Sequence, residues 1–280
     1  MKTDFHTQYR PLTSRPFLKG ELYTEYAPCE LLAPYVVCFW ESVRGSVTAV
    51  NSEVLVIPDT CADIIIEINH TRREIRSRLT GLSDSSVMIR QKTGDEAVTT
   101  FAVRFYFWAV HLFVDVGMKE LYNQVFDFEL VDPAEFREFE ALLYITDSRE
   151  RIAWMESRLL KRLIRRLAEK RHSPDFYNSI DRILQSSGVI SVKEICDYSC
   201  VSQRQMERLF QQNIGISIKR VSSLVRYQNV WREVAAQDRF DIQGAVYRYG
   251  YADQSHLLNE FKRFHGVTPE RAKRIALSNR

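Results

Sequence analysis

The stretch YGYADQSHLLNEFKRFHGVTPE, residues 249–270, carries the marks of one helix and the start of another. Asp253 stands just before a run in which Leu257, Phe261 and Phe264 recur at helical spacing, and the run stops at Gly266. An acidic cap, an apolar stripe and a terminal glycine are the punctuation of an amphipathic helix. Thr268-Pro269-Glu270 then opens another, because proline suits the first helical position. The stretch CVSQRQMERLFQQNIGIS, residues 200–217, repeats the scheme. Cys200-Val201 answers Gly250-Tyr251, Ser202 answers Asp253, and Met206, Phe210 and Gly215 answer Leu257, Phe261 and Gly266. Ser217 answers Thr268, and the later copy has one extra residue in its turn.

Around these two stretches the punctuation continues. Ser191 and Glu194 form a capping-box pattern that opens a short helix through Ser199. Ser217 starts a longer helix to about Ala236, and Asp241 begins a short one that ends at Gly250. Upstream, Ser173-Pro174 opens a helix that carries Tyr177, Ile180, Ile183 and Leu184 on one side and stops at Gly188. The order is short helix, tight turn, helix, twice over, with one long helix between. A helix from Ser217 to Ala236 spans roughly 30 Å at ~1.5 Å per residue. Two readers in successive major grooves lie ~34 Å apart.

The exposed faces carry the chemistry. Arg204, Glu207, Arg208 and Gln211 are spaced i, i+3, i+4, i+7 and share one side of the first candidate reader, with Gln203 at its start. Arg grips guanine bidentately, Gln pairs with adenine and Glu accepts from cytosine. The matching face of the second copy is milder: Gln254, Ser255, Leu258, Asn259 and Lys262. Arg220, Lys262 and the helix N-termini at Ser217 and Thr268 suit phosphate. Charge agrees: residues 174–280 hold 16 Lys+Arg against 11 Asp+Glu, a balance of +5, whereas residues 1–173 hold 23 against 25.

Residues 176–276 resemble the C-terminal DNA-binding domain of the AraC/XylS family of bacterial transcription regulators. The first half matches at Ile195, Ser202, Arg204, Met206, Arg208, Phe210, Gly215, Ser217 and Arg226. The second matches at Ile242, Ala245, Gly250-Tyr251, Asp253, Ser255, Phe261-Lys262, Phe264, Gly266 and Thr268-Pro269. Two departures stand out: Cys200 where the first turn usually has glycine, and His256-Leu257 in place of an aromatic pair. The resemblance implies a double helix-turn-helix over residues 174–280, a sensor or dimerisation domain over residues 1–150, and a cytoplasmic transcription regulator, activator or repressor. It implies double-stranded DNA as partner, with a small-molecule effector, RNA polymerase and a second copy of the chain as further partners. APYVVCFWES, VIPDTCADIII and FAVRFYFWAV more loosely resemble an N-terminal regulator subgroup, but Phe107-Trp108 stands where that subgroup has Pro-Gly.

The first half reads mainly as strand. EVLVIPDTCADIIIEIN gives two strands around Pro58-Asp59, and VTTFAVRFYF gives another. The fold class is α+β: a mixed, β-rich N-terminal part, with barrel-like closure as an option, before an all-α C-terminal part. KELYNQVFDFEL and PAEFREFEALLYI read as short helices or loops. DSRERIAWMESRLLKRLIRRLAEK is an amphipathic helix, its stripe Ile152, Met155, Leu159, Leu163 and Leu167 opposed by Arg158, Lys161, Arg162, Arg165 and Arg166. With flanking residues it makes a linker over 151–173, read as a dimer seam, a membrane-surface helix or a packed helix. RHSPD marks the boundary that follows.

Other classes are weaker. The most apolar stretch, TTFAVRFYFWAVHLFVDVGM, is broken by Arg104, His111 and Asp115, so it reads as a buried strand running into a buried helix rather than a membrane span. The N-terminal MKTDFHTQYRPLTSRPF shows no signal-peptide core. Five scattered cysteines give no disulfide framework, and Cys196 with Cys200 alone do not make a zinc site. A DNA-repair methyltransferase sharing this DNA-binding module needs a Pro-Cys-His centre, which does not occur. Asp59, Asp63 and Glu67 lack an adjacent base and read as turn and strand-face residues; His70 reads as a surface residue and His111 as packing. No enzyme, metal or cofactor is expected. Two inputs stay open: a small molecule held among Phe39, Trp40, Phe101, Phe105, Phe107 and Trp108, or a protein partner meeting the N-terminal part or the helix over residues 150–170.

Overall fold

The computed structural model describes residues 4–13, 23–44, 53–90, 96–169 and 173–277. Arg171 and His172 of the expected boundary, and parts of the N-terminal segment, lie outside the described residues. A helical turn α1 (Phe5–Gln8) precedes strands β1 (Tyr23–Tyr26), β2 (Val36–Arg44), β3 (Glu53–Val56), β4 (Cys61–Asn69), β5 (Glu74–Thr80), β6 (Val87–Arg90) and β7 (Val98–Tyr106). Then come α2 (Met118–Leu121), β8 (Val125–Asp127), α3 (Phe128–Val131), α4 (Pro133–Glu138) and the long α5 (Ser148–Glu169).

The sheet order is β1-β2-β7-β4-β5-β8, antiparallel throughout, with β3 and β6 paired separately. Strand alternation sends Phe101, Val103 and Phe105 of β7 and Ile64 and Ile66 of β4 into the core. The opposite face carries Arg104, beside Cys38 and Asp63 in register. Barrel closure does not occur among the described strands. The sheet ends at β8, three residues long, and stacked Phe128 and Phe139 fill the adjoining core with Leu142. Strand β8 itself corrects the expectation of helix or loop there. Tyr122 leaves α2 in extended backbone, Asn123 follows with a left-handed φ of 58°, and β8 then pairs with residues 78–80 of β5.

Helix α5 is packed within the chain. Ile152, Met155, Leu159 and Leu163 are buried, but Leu167 is 38% exposed and does not continue the stripe. The basic face is not simply solvated. Arg158 forks onto Glu135 at 2.5 and 3.0 Å, Arg162 pairs with Asp132 at 2.7 Å and Asp115 at 3.0 Å, and Arg166 also meets Asp115. Among the described residues no helix is long and apolar enough to cross a membrane.

The C-terminal part is all helix: α6 (Pro174–Gln185), α7 (Val192–Ser199), α8 (Gln203–Asn213), α9 (Ile218–Ala236), α10 (Ile242–Arg248), α11 (Gln254–His265) and α12 (Pro269–Leu277). The two parts share a junction centred on α9. Gln228 is fully buried there: its Oε1 accepts from Leu12 N at 2.7 Å, and its Nε2 donates to Pro58 O at 2.7 Å and Leu12 O at 3.0 Å. Trp231 Nε1 donates to Thr13 O at 2.8 Å. Phe5 packs on Trp108 and Tyr177, and His111 meets Phe176 edge-on, so His111 does act as packing.

Candidate nucleic-acid interface

Each reader helix is fixed by local chemistry. Ser191 and Glu194 complete the capping box of α7, and α7 ends at Cys200 in the left-handed region, φ 52° and ψ 36°. Cysteine therefore adopts the backbone that glycine would take at lower cost. Ser202 caps α8 through Gln205 N at 3.3 Å, and Met206 and Phe210 turn inward, Phe210 against Phe176. In the second unit Asp241 caps α10 and Asp253 caps α11 through His256 N at 2.8 Å. Leu257, Phe261 and Phe264 are buried, and Gly250 and Gly266 have φ of 62° and 79°. His256 stays exposed and packs its ring on Tyr251.

The second unit is bound to α9 by a buried ionic network. Arg226 meets Glu260 Oε1 through Nε at 3.0 Å and Nη2 at 2.7 Å, and Tyr251 OH donates to the same oxygen at 2.9 Å. Next to it, His265 is completely buried between Phe261 and Trp231, with Nδ1 2.9 Å from Tyr227 OH. Burial holds its pKa down at about 3, so the ring is neutral.

On the outer faces, Gln203, Arg204 and Arg208 of α8 are exposed, and Glu207 and Gln211 are half-buried. No hydrogen bond or ion pair engages Arg204 or Arg208 among the described residues. On α11, Gln254, Ser255, Asn259 and Lys262 are exposed and Leu258 is half-buried; Gln254 Nε2 donates to Gln243 Oε1 at 2.6 Å. Thr268, ahead of α12, is exposed. Ser217 caps α9 through Arg220 N at 3.2 Å. Helix α9 has 19 residues, or roughly 28 Å at ~1.5 Å per residue.

Arg220 departs from the expectation of a solvent-facing phosphate residue. Its guanidinium pairs with Asp84 of the N-terminal part and lies over the Phe264 ring at 5.2 Å. No sequence signal links residue 84 to residue 220. Gly215 carries a second contact: a Cβ there would run into Met118 O, so the helix-stopping glycine is also where α2 comes close.

The aromatics that suggested an effector site are mostly used in packing. Phe39 stacks on Phe101, Phe105 on Phe113, and Tyr106 on Trp108. A small, partly open space of about 10 Å³ lies at the junction, lined by Phe107, Val110, Met118, Leu121 and Ile214 among others, no more than one water would fill. On the other sheet face Arg104 grips Asp63 through two 3.0 Å bonds, with Asp59 at 3.8 Å. Burial pushes the Asp59 pKa up to about 6, and Arg104 offsets part of that rise. Asp59 is the turn residue expected, and Asp63 and Glu67 lie on one face of β4. Among the described residues no group of three or more His, Cys, Asp or Glu could hold a metal ion.

Residues 24–127 match a family described as a domain of unknown function, and residues 195–275 match a helix-turn-helix domain family. No curated protein matches. The fold is similar to the C-terminal domain of AraT, a response regulator from Geobacillus stearothermophilus: 22% identity over 38% of this chain and 88% of that one, TM-score 0.35. Over more of the chain it is similar to ToxT from Vibrio cholerae, at 14% identity, 85% and 98% coverage and TM-score 0.41. An unsaturated-fatty-acid-bound ToxT aligns at 10% identity, 92% and 95% coverage and TM-score 0.38.

Proposed function

We propose, on the premise that residues 195–275 are an AraC-type helix-turn-helix domain and the chain a DNA-binding transcription regulator rather than an enzyme, that it reads two successive major grooves with α8 and α11. The observation that carries this reading is the pairing of two capped helices whose polar faces are outward, joined through α9, which is roughly 28 Å long at ~1.5 Å per residue. Arg204 and Arg208 lead base recognition, supported by Gln203, Glu207, Gln211, Gln254, Ser255 and Asn259. Lys262, Arg220 and the helix starts at Ser217 and Thr268 hold phosphates. In this division residues 174–280 bind DNA, residues 1–150 regulate, and a linker over 151–173, which holds most of α5, joins them.

A small molecule acting on residues 1–150 is the input this reading favours. The charged groups of the polar sheet face, Arg104, Asp59 and Asp63, are mostly buried and pair with one another, so such a molecule must open that cluster to meet them. The test of the function is selection of the full chain against a random duplex library at physiological salt. Two sequence boxes about 10 bp apart centre to centre are expected. Retention without enrichment of any sequence would rule the reading out.

A further inference from the structure

The N-terminal part touches the DNA-binding part where the reading above needs it free. The loop over residues 81–86 and the segment around α2 form one patch, tied together by Gly81 N to Gln124 O at 3.0 Å and Asn123 N to Leu82 O at 2.9 Å. That patch meets both helix-turn-helix units at equivalent points. Met118 O backs onto Gly215, and Ser86 Oγ lies 2.5 Å from where a Cβ on Gly266 would be. Gly215 and Gly266 are the matching stops of the two reader helices. A single body gripping both stops fixes the spacing and tilt of the two readers.

Between these two points lies Asp84. Its backbone N–H donates to Asn123 Oδ1 at 3.0 Å and its Oδ1 accepts from Asn123 Nδ2 at 2.9 Å, which leaves Oδ2 to pair with Arg220. Arg220 is in the first turn of α9, behind the Ser217 cap, and Arg263 lies over the same Phe264 ring at 4.5 Å, with its Nη2 3.7 Å from Glu260 Oε2. A helix N-terminus with two guanidinium groups near it suits one anionic oxygen group. Here a carboxylate of the same chain supplies that group.

We infer that Asp84 stands in for a DNA phosphate on Arg220, so that this arrangement is a self-inhibited form in which the N-terminal part withholds one backbone contact and holds both readers in a set geometry. The inference rests on the DNA-binding reading. Binding requires the Asp84–Arg220 pair to open, because a phosphate and a carboxylate on one guanidinium repel each other. A signal that loosens the loop over residues 81–86 would therefore raise affinity without touching the readers.

The test is binding of the full chain to a 30-bp random-sequence duplex across a salt series, for wild type, Asp84→Asn, Arg220→Ala and the double variant. Random sequence isolates the phosphate term. Asp84→Asn keeps the shape and the Asn123 bonds, and should bind roughly 5-fold or more tightly. Its slope of log K on log salt should steepen by ~0.9, the value for one added phosphate. Both gains should vanish in the double variant. Asn123→Ala, which unpins Asp84 but leaves Arg220 intact, should shift binding the same way. Unchanged or weaker binding by Asp84→Asn, or a gain that survives Arg220→Ala, would overturn the inference and leave the DNA-binding reading standing. If no variant binds the duplex even at low salt, the inference falls together with that reading.

Discussion

The two helix-turn-helix units share a backbone plan and differ in almost everything laid over it. Both have an oxygen cap before the candidate reader, inward apolar positions (Met206 and Phe210 in the first, Leu257, Phe261 and Phe264 in the second) and a glycine stop. The first unit exposes two arginines and closes its turn with a strained cysteine. The second exposes Ser255, Asn259 and Lys262, closes with glycine and is held to α9 by Arg226, Glu260 and Tyr251. Position by position, Ile214 of the first stands where the second has His265. Under the proposed reading the contrast is a division of labour: the first unit exposes the guanidinium groups for base recognition, and the second is more firmly built into the domain.

The largest effect on that contrast should come from Glu260→Ala. It leaves Arg226, with a side chain only 16% exposed, facing no carboxylate, and should cost about 3–5 kcal/mol in denaturant unfolding. No residue of the first unit plays this part, so Glu207→Ala serves as the matched control and should be near neutral in stability.

Next comes acid. His265 has a folded pKa of about 3, below its unfolded value of about 6.5. The folded state therefore refuses a proton that the unfolded state takes. Stability should be fully present above pH 6.5 and fall as pH drops towards 3, by about 1.4 kcal/mol per unit from this group. Asp59 works in the opposite sense: its raised pKa stabilises the fold below the unfolded value, and that contribution is lost as pH rises through about 6. His265→Ile copies the first unit and should flatten the acid limb of a stability-against-pH curve. An unchanged limb would assign acid sensitivity elsewhere.

Base reading gives a smaller effect. Arg204→Ala should cost about 1–3 kcal/mol on selected DNA and relax one base position. Lys262→Ala should weaken all sequences alike and flatten the salt slope by ~0.9. Equal losses on selected and random DNA for Arg204→Ala would remove the claimed asymmetry between the units. The smallest effect expected is Cys200→Gly. Relief of the left-handed backbone, ~1–2 kcal/mol, is partly offset by glycine's greater chain entropy, ~0.5–1 kcal/mol. A net gain of about 0.5–1 kcal/mol in thermal unfolding should bring the first turn into line with the second.

Much of the helical part could be read from residues alone. Ser191, Ser202, Ser217, Asp241 and Asp253 each accept the backbone N–H that their position foretells. Ser173 does sit at the N-cap of α6, though its side chain makes no cap bond. The N-terminal sheet was less legible. Strand β8 has no strand periodicity, and its pairing is set by β5 more than forty residues away in sequence. Helical spacing puts Arg158, Arg162 and Arg166 on one side of α5, but it shows which residues share a side, not that this side meets Glu135, Asp132 and Asp115.

Caps, glycine stops and the 3.6-residue stripe are local, so the order of residues alone specifies two helix-turn-helix units and a helical spacer of roughly 28 Å between them. What faces those units is long-range. That Met118 backs onto Gly215, that Gln228 takes both Leu12 and Pro58, and that Asp84 reaches Arg220 depend on how one part of the chain docks on another. Such docking is governed by surface shape and by pairing of buried polar groups, which carry no period along the chain. It exists only once the whole chain has folded.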